Sequence, residues 1–225
     1  MFLDNSSLRA RIMLIVAAVF VGAALLFGTA IAHLHEEMLI ARKLKAQQLT
    51  ETAYSLIAHY QAEAVAGRLT VEQAKREAIA ELRGLRYGVN DYFWISDMAT
   101  RMVMHPISPE LDGKVLGDMT TPDGRHLFID MVDIVKARGA DFTLYDWPKP
   151  GTNQPVRKID YIKGFQPWGW IVGTGIYLDD FDATFRREAL EMGGAALLTV
   201  LGATALSLLI AARFTAPPLQ RVTAT

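Results

Sequence analysis

YIKGFQPWGWIVGTGIY, residues Tyr161 to Tyr177, reads as two strands and the turn between them. Two runs rich in aromatic and β-branched residues flank Pro167-Trp168-Gly169, which is turn chemistry. A parallel pair needs a crossover of a dozen or more residues, so so short a link makes Val156 to Phe165 and Trp170 to Tyr177 antiparallel neighbours. Phe142 to Trp147 precedes them across the stiff loop of YDWPKPG, Tyr145 to Gly151, which adds a third sequential strand. Two more short runs, Tyr92 to Ser96 and Arg101 to His105, flank a hairpin turn at Asp97-Met98-Ala99-Thr100. Pro106 and Pro109 open a longer loop. Thr121-Pro122 supplies an N-cap with proline at the first helical position for a short amphipathic helix through Leu127, Met131, Ile134 and Val135 to Gly139.

Upstream the period changes. From His35 to Ala66 there is no proline or glycine, and Leu49, Ala53, Leu56, Ile57, Tyr60 and Ala64 mark one face of a long helix. Gly67 stops it, and Thr70 with Gln73 forms a capping box before a second helix running to about Leu85. The class is α+β: a long N-terminal helix and an antiparallel sheet of about five strands.

Two stretches, Ile12 to Leu34 and Met192 to Ala212, carry no Asp, Glu, Lys or Arg, and each is about the length of a membrane-spanning helix. An alternative for the first is a cleaved signal peptide, with Ala30-Ile31-Ala32 as the small-x-small site. Arg9 and Arg11 before the first span, and Arg213 and Arg221 after the second, place both ends in the cytoplasm. The organisation is therefore a cytoplasmic N-terminus over 1–11, a first span over 12–34, an exported domain over 35–191, a second span over 192–212 and a cytoplasmic tail over 213–225. The site is the inner membrane, crossed twice, with the folded domain in the periplasm.

With 23 basic and 24 acidic residues among 225, no polyanion surface is indicated, and nucleic acid is not an expected partner. The absence of cysteine excludes disulfides, thiolate metal sites and cysteine nucleophiles. His33 and His35 point apart on a helix with no third ligand at metal spacing, so no metal is expected. There is no G-x-S-x-G, no S-x-x-K and no convincing carboxylate pair, so no enzyme activity and no cofactor are expected. Gly173-Thr174-Gly175 lies inside a strand and opens no helix, so it marks close backbone approach rather than a phosphate loop.

The motifs YFWISD, MVMHP, WPKPG and YIKGFQPWGWIVGTGIY, in this order, resemble the single Cache domain, the PAS-like extracytoplasmic sensor of bacterial methyl-accepting chemotaxis proteins and some sensor kinases. The likeness covers about His35 to Glu191. RFTAPPLQRVTAT resembles the opening of a HAMP linker, although the doubled Pro217-Pro218 departs from its usual start. The resemblance implies a transmembrane chemoreceptor that signals as a homodimer and binds a short organic acid such as acetate, propionate, lactate or pyruvate. The input region of a sensor histidine kinase or cyclase, and a membrane-anchored binding protein without output, are the alternatives.

Strand alternation puts Tyr145 with Trp147, Tyr161 with Lys163, and Tyr92 with Trp94 on shared faces. If these faces converge they line one pocket, with Lys149 held at its mouth between Pro148 and Pro150 and His105 at a strand end. The candidate ligand contacts are Tyr92, Trp94, His105, Tyr145, Trp147, Lys149, Tyr161 and Lys163. Ammonium groups, tyrosine hydroxyls and an indole donor suit a carboxylate, because bonds to charged groups contribute about 1.5 to 3 kcal/mol each. An acid of roughly six heavy atoms gains at most about 9 kcal/mol, which is about micromolar binding. The packing alternative is ordinary aromatic core for the rings and solvated stems for the lysines. Trp168 and Trp170 read as hairpin packing, and Lys158 and Asp160 as a solvated pair on the opposite strand face.

Overall fold

The computed structural model describes residues 8–88, 90–121, 124–152 and 154–215. The chain divides into two units, Met1–Glu37 with Thr184–Thr225, and Met38–Ala183. Helix α1, Leu8–Val65, runs through both and ends before Gly67, whose φ of +72° admits the reversal a side chain would resist. Helix α4, Leu178–Thr215, likewise begins in the second unit and continues into the first.

In the first unit, α1 and α4 are long and apolar enough to cross a membrane, within 14–65 and 181–209. Leu26, Leu198 and Leu209 point outward and exposed, an arrangement that suits lipid rather than water. The helices approach closely at Gly193, where a Cβ would lie 3.1 Å from the Phe27 ring, the use small residues have between membrane helices. His35 and Phe185 meet edge to face at 5.0 Å. The expected spans 12–34 and 192–212 fall inside these helices; the HAMP-like residues from 216 onward lie outside the described residues.

The second unit is built on a five-stranded antiparallel sheet. Strands β1 (Arg86–Tyr87) and β2 (Asp91–Tyr92) form a separate small hairpin. The main sheet comprises β3 (Trp94–Asp97), β4 (Met102–Met104), β5 (Ala140–Pro148), β6 (Pro155–Phe165) and β7 (Trp170–Tyr177), in the order β4-β3-β7-β6-β5. The Tyr161–Tyr177 stretch is the expected hairpin, turning through Gln166–Trp168 onto Gly169 at φ +64°. The run expected over Tyr92 to Ser96 is divided, because Tyr92 pairs back with Arg86 and the chain joins the main sheet only at Trp94.

Both faces of the sheet are covered. On one, Ala53 and Ile57 of α1 and Ala78 and Leu82 of α2 (Val71–Gly84) pack with Ile95, Met104 and Val172. The Thr70 hydroxyl accepts from the Gln73 amide and the Gln73 side chain accepts from the Thr70 amide, so the capping box is as read. On the other face, α3 (Leu127–Arg138) sets Leu127, Phe128, Met131 and Val135 against Trp94, Met102, Ile162 and Ile171. This helix begins at Leu127 and not at Pro122, which lies outside the described residues. The Thr121 hydroxyl turns to the backbone of Arg125 instead, accepting from its amide at 3.2 Å, and so closes a loop rather than capping a helix.

Register fixes the two faces. Tyr145 stands opposite Lys158, Lys158 opposite Tyr177, Asp160 opposite Gly175, and Gly173 opposite both Ile162 and Trp94. Directly opposed residues project to the same side, so Tyr145, Lys158, Asp160, Tyr177 and Trp94 share the α3 face. Tyr161 and Lys163 belong to the other.

Candidate functional site: a ring-lined cage around Lys158

Lys158 and Asp160 are 1 % and 0 % exposed, which overturns their reading as solvated residues: their strand face is the one α3 and its loops cover. They form a buried ion pair, Nζ to Oδ2 at 3.2 Å. The same carboxylate oxygen accepts from the Trp94 indole at 2.7 Å and the Tyr145 hydroxyl at 2.8 Å. Desolvation of a buried charge is severe, and three donors on one oxygen are what make it tolerable. Gly175 makes room for the group: a Cβ there would lie 1.9 Å from Oδ1 of Asp160. Gly173 likewise admits the Trp94 ring, which a Cβ would meet at 2.5 Å, so the Gly-Thr-Gly run marks close approach as its sequence indicates.

The Lys158 ammonium is boxed by rings. Its Nζ lies 4.7 Å from the centroid of Tyr92 and 5.5 Å from that of Tyr177, both within cation–π range. The two hydroxyls stand 3.3 Å apart, and that of Tyr177 also donates to the Pro148 carbonyl at 2.9 Å. Burial pushes the hydroxyls of Tyr92, Tyr145 and Tyr177 above the usual phenol range, so all three keep their protons at neutral pH.

His105 closes one side, 5.0 Å from Tyr92 and 5.7 Å from Trp147 between ring centroids. Burial, aided by the charges of Lys158 and Arg83, pushes its imidazole down to about 3. The ring is neutral, and because its Nδ1 accepts from the Ser108 amide at 2.9 Å, the proton sits on Nε2. Its backbone amide donates to Asp112 at 2.7 Å, and Asp112 is held by Arg83 of α2 at 2.5 Å.

Of the residues expected from the sequence, the structure brings together Tyr92, Trp94, His105, Tyr145 and Trp147. Lys149 stands at the edge of the cage and pairs with Asp179 at 2.9 Å. Tyr161 and Lys163 are on the opposite face, Tyr161 against Phe142 and Lys163 bound to Glu51 at 2.5 Å over the Tyr54 ring. Their expected convergence with Tyr145 fails because the β5–β6 register presents the even-numbered residues of β6 to α3. Lys158, Asp160 and Tyr177 were not among the expected residues. The signal available was Lys158 and Asp160 themselves, two opposite charges at the one spacing that puts them on the same face of a strand.

Between the rings lies a void with room for about one water (≈ 10 Å³), lined by Trp94, Met102, His105, Phe128, Trp147 and Leu127 among others. An open groove of about 420 Å³ lies beside it, and Leu127 and Trp147 line both. His105 lines this void, and Lys158 stands beside it between the Tyr92 and Tyr177 rings; a buried cation and an imidazole N–H next to an apolar chamber suit an anion with a small apolar tail. Among the described residues no group of three or more His, Asp or Glu side chains is placed to hold a metal ion.

Comparison with known proteins fits this geometry. The chain is 37 % identical over 222 residues to the methyl-accepting chemotaxis protein McpP of Pseudomonas putida, covering 97 % of this chain and 40 % of that protein. It is 34 % identical over 123 residues to the sensor histidine kinase MctS of Rhizobium johnstonii, covering 55 % of this chain and 26 % of the kinase. The chain thus spans well under half the length of these curated relatives. Among solved structures, a periplasmic sensor domain of a chemotaxis protein matches with 45 % identity and a TM-score of 0.62, over 63 % of this chain and 98 % of that one. A Cache chemosensory domain solved for its carboxylic acid recognition matches with 44 % identity and a TM-score of 0.62, over 64 % of this chain and 98 % of that domain. The profile of the family Single Cache domain 2 matches residues 38–190. A buried sheet face carrying the site, helices on both sides and this match agree: over those residues the chain belongs to the single Cache domain family.

Proposed function

We propose that this chain is the sensory region of a transmembrane chemoreceptor, with its Cache domain in the periplasm, its two apolar helices in the inner membrane and a homodimer as the signalling unit. Its ligand is a short monocarboxylate such as acetate, propionate, lactate or pyruvate. The observation that carries the reading is the Lys158 ammonium, buried among the Tyr92 and Tyr177 rings. An ammonium has three donors, and Asp160 takes one. The carboxylate would sit beside Lys158 and the His105 Nε2–H, its tail toward Trp94, Phe128 and Met131, and the Tyr177 hydroxyl would donate to it only by releasing the Pro148 carbonyl. Such an acid occupies the volume of roughly three to four waters, so the rings around Lys158 must part to admit it. The similar Cache domain solved with carboxylic acid recognition supports the ligand class.

The signal follows from chain connectivity. Tyr177 is the last residue of β7 and Leu178 the first of α4, so a ligand that reorders the Tyr92–Tyr177–Lys158 group acts directly on the root of the helix that enters the membrane. Displacements of about 1 to 2 Å are typical of such transitions. The ligand shifts the equilibrium only by its difference in affinity for the two helix positions. A receptor output is supported over a kinase output by the likeness to McpP, which runs through both apolar helices, where that to MctS covers about half the chain.

Calorimetry on the chain in lipid nanodiscs with acetate, propionate, lactate, pyruvate and the matching amines tests the ligand class. Binding of one or more acids at about micromolar or weaker affinity, with no amine bound, is the expected outcome. Amines binding while every acid fails would refute it.

A further inference from the structure

We propose that Leu127, backed by Trp147, sets the length of acid the receptor accepts, and that the groove beyond it is an apolar subsite this one side chain closes off. The inference rests on the cage being a carboxylate site. If Lys158 and His105 fix the carboxylate, the tail points into the void among Trp94, Met102 and Phe128, and the void ends at Leu127 and Trp147. On their far side lies the groove of about 420 Å³, whose walls include Met119, Pro148 and Pro155. Leu127 and Trp147 line both spaces, so they are the partition.

Leu127 is the more consequential of the pair. Trp147 is also part of the ring cage, whereas Leu127 is the first residue of α3 and 2 % exposed, a plug between two spaces. The loop before it is braced: the Thr121 amide donates to the Arg125 carbonyl at 2.9 Å, the Arg125 amide returns to the Thr121 hydroxyl, and Thr120 bridges His126. A braced backbone holds the plug in place, so length is limited by a fixed wall rather than an adaptable one. The chemistry of the groove also says what an extended ligand would be. Its walls of Met119, Pro148 and Pro155 suit an alkyl chain, and no basic side chain among the described lining residues is there to receive a second carboxylate. Opening the partition should admit longer monocarboxylates but not dicarboxylates of equal length.

The test is calorimetry on the full chain in nanodiscs with propionate, valerate and glutarate, for wild type, Leu127→Ala, Leu127→Val and Val135→Ala. Each methylene brought out of water improves binding by about fourfold at most, so in Leu127→Ala the valerate-to-propionate affinity ratio should rise about tenfold, with glutarate excluded. Leu127→Val should give a smaller rise of the same sign, and it carries the test if the alanine variant fails to fold. Val135 is buried on the same helix but lines neither the void nor the groove, so Val135→Ala should leave the ratio near that of wild type. Folded Leu127 variants that bind propionate with an unchanged ratio, an equal rise in Val135→Ala, or glutarate gaining alongside valerate would overturn the inference while leaving the carboxylate reading intact. A wild-type chain that binds no monocarboxylate overturns both.

Discussion

The Tyr177 hydroxyl donates to the Pro148 carbonyl at 2.9 Å, tying the last residue before α4 to the end of β5. Lys149, the next residue, reinforces the tie by pairing with Asp179 in the first turn of α4. The root of the exit helix is thus pinned to the rim of the cage at two adjacent points. Tyr177→Phe keeps the ring over Lys158 but releases the Pro148 carbonyl and the Tyr92 hydroxyl. A loss of about 1 kcal/mol of stability is expected from the partly buried hydrogen bond, read as a lowered urea midpoint with an unchanged slope. An unchanged midpoint would mean the tie contributes nothing.

The buried ion pair gives a sharper stability test. Asp160→Ala strips Lys158 of its anion in a site closed to water and should lower stability by about 3 to 5 kcal/mol. Adding Lys158→Met removes the orphaned charge, so the double variant should be more stable than Asp160→Ala alone. A double variant no better than the single one would show that Asp160 acts chiefly through Trp94 and Tyr145 rather than through the lysine.

His105 makes stability depend on pH with a definite sign. Its folded-state value is about 3 against about 6.5 for an unfolded histidine, so between these the unfolded chain binds the extra proton. Stability therefore falls as pH drops from about 6.5 toward 3, by up to about 1.4 kcal/mol per pH unit from this residue alone. Carboxylates titrate over part of the same range, so the informative quantity is the difference between wild type and His105→Asn, whose side chain can still accept from the Ser108 amide. That difference should change with pH from 6.5 downward and be flat above 7; parallel curves throughout would show that His105 is not buried neutral.

The elements that were legible in the sequence are those fixed by local chemistry. Pro167-Trp168-Gly169 can hardly do other than turn, and Thr70 with Gln73 has both partners of a capping box within one helical turn. The face of β6 that meets the site was not legible, because it depends on register. The β5–β6 pairing sets Tyr145 opposite Lys158, and a slip of one residue would have brought Tyr161 and Lys163 to the cage instead. Side-chain chemistry reinforced the misreading: a lysine and an aspartate two apart look like a solvated edge, since such residues are rarely buried unless paired. Thr121 misled for a related reason, as a hydroxyl that can cap a helix can equally close a loop onto Arg125.

Two lysines on opposite faces of one strand separate a ligand site under α3 from one under α1. Lys158 and Lys163 both lie in β6, but Lys158 faces α3 within the ring cage while Lys163 faces α1 and is bound to Glu51. Calorimetric titration of the chain in nanodiscs with propionate should show Lys158→Met weakening binding by about 10- to 100-fold, the value of one charged hydrogen bond, and Lys163→Met leaving it as in wild type. Binding lost in Lys163→Met and retained in a folded Lys158→Met would place the ligand on the other side of the sheet and contradict the account.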